Sequence, residues 1–138
     1  MAKSVYIAIL FFSMISSQEF VVQPYLQSPT WSTMHILWET DSGNESRVEW
    51  GEWPYLGKVT IGTSIVSQGG NQIHTVELAG LHLSRRYYYR VITGSLTSEI
   101  YDFIMPSEPM DEASFKIVAM SDMQRDNSNP NKFEEIVH

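Results

Sequence analysis

Nine Lys and Arg against sixteen Asp and Glu leave this 138-residue chain with a formal net charge of −7. That balance, with no long run of one sign, excludes the clustered cations that a nucleic-acid backbone requires, and reads as a solubility feature. Cysteine is absent, which excludes a disulfide scaffold and a thiolate zinc site, so a folded domain has to stand on its hydrophobic core.

In chain order, Lys3 precedes the apolar run Val5 to Phe12, which gives way to Ser13-Met14-Ile15-Ser16-Ser17. A basic start, a short apolar centre and small closing residues describe a secretory signal peptide over residues 1–17. The run is short for a permanent membrane helix, so no membrane span is expected after cleavage. An uncleaved anchor or a buried strand are the alternatives. Asn44-Glu45-Ser46 is a glycosylation sequon in a turn-like stretch, with Asn44 as the acceptor, and fits the secretory route.

Short β-like runs follow, separated by turn residues. Phe20 to Gln27 is extended, and Pro24 marks it as an edge strand. Thr33 to Thr40 alternates, with Met34, Ile36 and Trp38 opposite His35, Leu37 and Glu39. Asp41-Ser42-Gly43-Asn44 is a turn cluster. Arg47 to Trp53 alternates again, Lys58 to Val66 is rich in β-branched residues, and Gly69-Gly70-Asn71 turns the chain. Ile73 to Leu78 sets His74, Val76 and Leu78 opposite Ile73, Thr75 and Glu77. Tyr87 to Thr93 and Glu99 to Met105 complete the series. About seven strands with no helical period predict an all-β antiparallel sandwich of immunoglobulin or fibronectin-III type over residues 20–106.

The pattern then changes. Residues 107–113 are a polar, proline-bearing linker. Phe115 to Met120 is almost continuously apolar, the mark of a strand buried on both faces. It ends at Ser121-Asp122-Met123-Gln124, and Asn129-Pro130 reads as a helix start, with Phe133, Ile136 and Val137 on one face. Residues 114–138 thus predict the first strand and helix start of an incomplete α/β domain, in a chain that is a fragment of a longer protein.

Two passages carry a resemblance. In Gly80 to Val91, Leu81 and, six residues later, Tyr87 hold the positions of the tyrosine corner of fibronectin-III-like domains, with Trp38 as the core tryptophan. Leu83 and Ser84 stand where that family usually has Pro and Gly. The opening Gln23-Pro24-Tyr25-Leu26-Gln27-Ser28-Pro29-Thr30, the strand Met34 to Thr40 and Ser46-Arg47-Val48-Glu49-Trp50-Gly51 together resemble the N-terminal domain of purple acid phosphatases. In the calcineurin-like metallophosphoesterase domain that follows it in such proteins, the first strand ends in Asp-x-His, or Asp-x-Gln in some relatives. The resemblance makes Asp122 and Gln124 the matching ligands of a dinuclear metal centre, iron with zinc, manganese or a second iron. Two metals so held orient a water for attack on phosphorus.

The implied function is the N-terminal part of a secreted, metal-dependent acid phosphatase acting on phosphate monoesters, its partner being the missing C-terminal catalytic domain. The 138-residue chain lacks the later ligands and is expected to be inactive by itself. The alternative is a stand-alone secreted fibronectin-III-like binding module, in which Trp53-Pro54-Tyr55 would be the exposed contact. The apolar run at 115–120 argues for the first reading, because a binding module has no use for an unpaired buried-type strand. Of the histidines, His35 and His74 are expected to be partly buried or surface residues rather than ligands. Arg85, Arg86 and Arg90 are expected on a solvated edge.

Overall fold

A computed structural model of the chain describes residues 17–108, 110, 112 and 114. The expected strand at 115–120, the helix start after Asn129 and nearly all of the expected signal peptide lie outside the described residues. The described part is all-β, with nine strands: β1 Phe20–Gln27, β2 Thr33–Thr40, β3 Arg47–Gly51, β4 Lys58–Ile61, β5 Thr63–Val66, β6 Gln72–Ala79, β7 Arg86–Thr93, β8 Leu96–Thr97 and β9 Tyr101–Ile104. They form two antiparallel sheets. One has the order β1-β2-β6-β5, and the other β4-β3-β7-β8 with β9 also paired to β7.

Period-two alternation decides which side chains meet between the sheets. On β2 the even-numbered residues Met34, Ile36, Trp38 and Thr40 are buried and the odd-numbered ones half-buried. The register sets Ile36 opposite Val76 and Trp38 opposite His74, so β6 sends His74, Val76 and Leu78 to the same face. The other sheet answers with Val48 and Trp50 from β3, Tyr87, Tyr89 and Val91 from β7, and Phe103 from β9. Aromatic rings bridge this layer in tilted pairs: Trp50 with Tyr87 at 5.9 Å, Tyr87 with Phe103 at 5.7 Å and Tyr89 with Phe103 at 6.0 Å. Each fully buried side chain of this size contributes roughly 1.5–3 kcal/mol. Such burial stands in for the missing disulfides.

β1 is an edge strand, and its register slips on either side of Val22, the second slip spanning Pro24. Proline lacks the donor a regular ladder needs, so the bulge falls where the imide lies.

The Lys58–Val66 run differs from the single strand expected of it. It divides at Gly62 into β4, which pairs with β3, and β5, which pairs with β6 in the other sheet. The reason is steric. A Cβ on Gly62 would lie 2.0 Å from the Thr75 carbonyl oxygen, so only glycine lets the backbone cross from one sheet to the other here. The Gly62 N–H donates to the Ser46 carbonyl at 2.8 Å, which fixes the crossing. Strand β3 also ends two residues earlier than expected, and β8 carried no recognisable pattern, being two residues long.

The end of the core beneath β7 is closed by a loop. Leu81 is 3% exposed and Tyr87 1%. The Tyr87 hydroxyl accepts the His82 N–H at 2.9 Å, satisfying a loop donor that has left the sheet. Ser84 adopts φ 58°, the left-handed conformation for which glycine is the usual residue. The same loop grips the strand that leaves the domain: the Met105 N–H donates to the Arg85 carbonyl, and the Ser84 N–H to the Pro106 carbonyl, both at 2.9 Å.

Candidate functional site

Polar chemistry gathers at three places in the sandwich, beginning inside the core. His74 is fully buried, deeper than its place on a strand alone implied. Its ring stacks on Trp38 with centroids 4.8 Å apart and planes 7° from parallel. Both nitrogens are occupied, Nε2 at 2.8 Å from Thr40 Oγ1 and Nδ1 at 2.8 Å from Ser46 Oγ. The tautomer follows from Thr40. Its single hydroxyl proton goes to the Ser42 carbonyl at 2.8 Å, so Thr40 Oγ1 can only accept from the imidazole. Nε2 therefore carries the proton, and Nδ1 accepts from the Ser46 hydroxyl. Burial pushes the His74 pKa below its ordinary value, because the charged form would lose its hydration. Trp38, itself fully buried, donates its Nε1–H to Thr93 Oγ1 at 2.9 Å. Both imidazole nitrogens are thus engaged by hydroxyl groups, so the ring has no lone pair free for a metal.

The second place is the outer face of the five-stranded sheet. Register sets Glu49 opposite Arg90. Arg90 reaches Glu49 Oε2 with Nε at 2.8 Å and Nη2 at 2.7 Å, while Arg47 donates to Oε1. The hydrogen bonds from Arg47, then Arg90, hold the Glu49 carboxyl below the usual carboxylate range against an opposing effect of burial. Arg86 pairs with Asp102 on the neighbouring row. Two of the three arginines read from the sequence as a basic edge are thus engaged in ion pairs. Beside Glu49 and Arg90 lies an open depression of about 450 Å³ that Tyr55, Lys58 and Ile100 help to line.

The third place is the β3–β4 turn. Trp53 is 61% and Tyr55 80% exposed. Leu56 holds them there. It sits at φ 59° yet is 7% exposed, and its backbone passes so close to Gly51 that a Cβ there would fall 2.8 Å from the Leu56 carbonyl oxygen. A non-glycine residue in the left-handed region is strained, and the buried leucine side chain holds the turn in place.

Of the residues singled out from sequence, Asp122 and Gln124 lie outside the described residues. Among the described residues no three His, Cys, Asp or Glu side chains gather as a metal site, so no chemistry of a dinuclear centre is assigned to the sandwich. Asn44 is exposed in the β2–β3 loop, directly after Gly43 at φ 85°. Trp38, Leu81 and Tyr87 are core residues, as described. Sequence reading missed the His74–Ser46–Thr40 cluster, whose members lie 28 and 34 positions apart. The available clue was the alternation that put His74 on the face of Val76 and Leu78.

These features can be set beside known proteins. No curated protein matches the chain by sequence. Among solved structures, the sensor domain of the anti-sigma factor RsgI4 from Pseudobacteroides cellulosolvens is similar in fold, with a TM-score of 0.50 and 16% identity over 74% of this chain and 100% of that one. At that identity the likeness concerns architecture alone. A family model described as purple acid phosphatase, N-terminal domain, matches residues 21–105, all of the nine strands but Phe20. The chain therefore belongs to the purple acid phosphatase family, whose N-terminal domain it carries as this two-sheet sandwich.

Proposed function

We propose that the chain is the N-terminal part of a secreted, metal-dependent phosphoesterase of acid phosphatase type, which hydrolyses phosphate monoesters at a dinuclear centre held by a following catalytic domain. The observation that carries this reading is the family's N-terminal domain at residues 21–105, followed by an apolar run that ends in Asp122-Met123-Gln124. In this reading residues 1–17 are a signal peptide, Asn44 carries an N-linked glycan, 107–113 is the linker and the catalytic domain opens at 114. Asp122 and Gln124 would be the first ligands, one a hard carboxylate and one neutral. The metals, iron with zinc, manganese or a second iron, would supply Lewis-acid activation of water when bound. The sandwich would contribute packing and a rim beside the cleft, and residues 1–138 alone would not turn over substrate.

The test is expression of the complete reading frame containing this chain, assayed on an aryl phosphate. Metal-dependent turnover that is lost in Asp122→Ala is expected. Turnover unchanged in that variant would remove Asp122 from the centre. Robust metal-dependent turnover by residues 1–138 alone would overturn the assignment of catalysis to a following domain.

A second reading, a secreted binding module, is favoured by the exposed Trp53 and Tyr55 on a strained, anchored turn. Aromatic rings of this kind stack on sugar faces. Titration of the full chain with soluble oligosaccharides, followed by tryptophan fluorescence and repeated with Trp53→Ala, separates it from the first.

A further inference from the structure

The acceptor tripeptide Asn44-Glu45-Ser46 has one end in solvent and the other in the core. Asn44 is exposed, whereas Ser46 is 2% exposed. The Ser46 hydroxyl spends its proton on His74 Nδ1 at 2.8 Å. The backbone on both sides is tied down as well. The Ser46 carbonyl accepts the Gly62 N–H at 2.8 Å, and the Asn44 carbonyl accepts the Ser64 hydroxyl at 3.2 Å.

A sequon is defined by an asparagine and by a hydroxyl two residues later. An enzyme that accepts Ser or Thr and rejects other residues there must read that hydroxyl directly. In the folded sandwich the hydroxyl faces away from any such enzyme, and the backbone cannot peel outward without breaking the crossing at Gly62. We infer that glycan transfer to Asn44 is confined to the time before the sandwich closes, because folding itself withdraws the Ser46 hydroxyl. This inference rests on the proposed reading of Asn44 as a glycan acceptor in the secretory route.

The chemistry is a substitution at the anomeric carbon of a lipid-diphosphate oligosaccharide. The Asn44 amide nitrogen forms the N–C1 bond, the C1–O bond breaks, the diphosphate leaves with its electron pair, and the amide gives up one proton. The order of synthesis leaves room for it. His74 lies 28 residues after Ser46, so the hydroxyl stays unsequestered until that later strand has also emerged and packed.

Two samples of the full chain test this. One is translated in the presence of microsomes. The other is purified unglycosylated, folded, and then incubated with detergent-solubilised oligosaccharyltransferase and a lipid-diphosphate oligosaccharide, alongside a synthetic peptide of residues 40–50. Occupancy of Asn44 is read by mass. The nascent chain and the peptide are expected to be modified, and the folded chain to react about 100-fold more slowly than the peptide, as for a group reached only through local opening. Transfer to the folded chain at the peptide's rate would overturn the inference while leaving Asn44 as an acceptor. Failure of transfer to both nascent chain and peptide would overturn the acceptor reading and the inference together.

Discussion

Acidification from pH 7.5 to 5 is expected to weaken this domain through His74. The neutral ring donates from Nε2 to Thr40 and accepts at Nδ1 from Ser46. A second proton on Nδ1 would place a charge in a site with 0% exposure and turn the Ser46 hydroxyl away from its acceptor. The folded-state pKa of His74 is therefore depressed by burial, while the unfolded ring titrates near 6.5. Below that value the unfolded chain binds more protons than the folded one, so stability is fully present above about pH 6.5 and falls as pH drops towards the folded pKa. The loss between pH 7.5 and 5 is at most about 2 kcal/mol, the limit set by a slope of about 1.4 kcal/mol per pH unit below the unfolded pKa. With a urea m-value of about 1–2 kcal/mol/M for a domain of this size, the midpoint falls measurably, by up to roughly 1–2 M. The assay is urea unfolding of the full chain at four pH values, for the wild type and for His74→Phe, which keeps a ring against Trp38 but cannot titrate. The variant is expected to be less stable at neutral pH, because Ser46 and Thr40 lose their partner, and to lack the slope between pH 6.5 and 5. Glu49 does not confuse the result. Its depressed pKa gives stability that is present above about pH 4.5 and lost only as pH falls further. A wild-type midpoint constant from pH 7.5 to 5, or a slope of equal size in His74→Phe, would refute the reasoning.

Three further outcomes are expected. Ser84→Gly relieves a side chain held at φ 58° and should stabilise by about 0.5–1 kcal/mol after the entropy of glycine is offset, raising the thermal midpoint by several degrees in calorimetry. Tyr87→Phe keeps the ring but orphans the His82 N–H; a loss of about 1–2 kcal/mol in the same urea assay is expected, and no loss would show that water replaces the phenol. Gly62→Ala pushes a methyl against the Thr75 carbonyl at 2.0 Å. A loss above about 3 kcal/mol, or failure to fold, should appear as collapse of the near-ultraviolet dichroism, and a native spectrum with full stability would refute the steric account.

What the sequence disclosed of this fold depended on the range of the interaction. β2 and β6 were readable because alternation is a local property, visible in Met34, Ile36 and Trp38 and again in His74, Val76 and Leu78. The turn at Ser84 was readable as a departure from Pro-Gly, yet only the backbone shows that serine keeps the glycine conformation. The sheet change at Gly62 was not readable, since a β-branched run looks the same whichever neighbour it pairs with. Nor was the Glu49–Arg90 pair, whose partners lie 41 positions apart and meet only through the β3–β7 register. The polar core cluster falls between these cases: its face was legible, its partners were not. Asp122 and Gln124 were legible as a strand-end motif and stay a sequence-level assignment.

The clamp on the departing strand sets a pivot. Met105 is 1% exposed, and it and Pro106 are both bonded to the loop that carries Arg85 and Ser84. The chain is therefore anchored through residue 106. In the proposed division of the chain, the seven residues 107–113, even drawn out straight, would reach at most about 25 Å. A catalytic domain opening at 114, as proposed, would have to begin within that distance of the tyrosine-corner end of the sandwich. Its position would be steered by the loop that seals the core, so a lesion at Leu81 or Tyr87 would be felt as misplacement of the neighbour as well as loss of the fold.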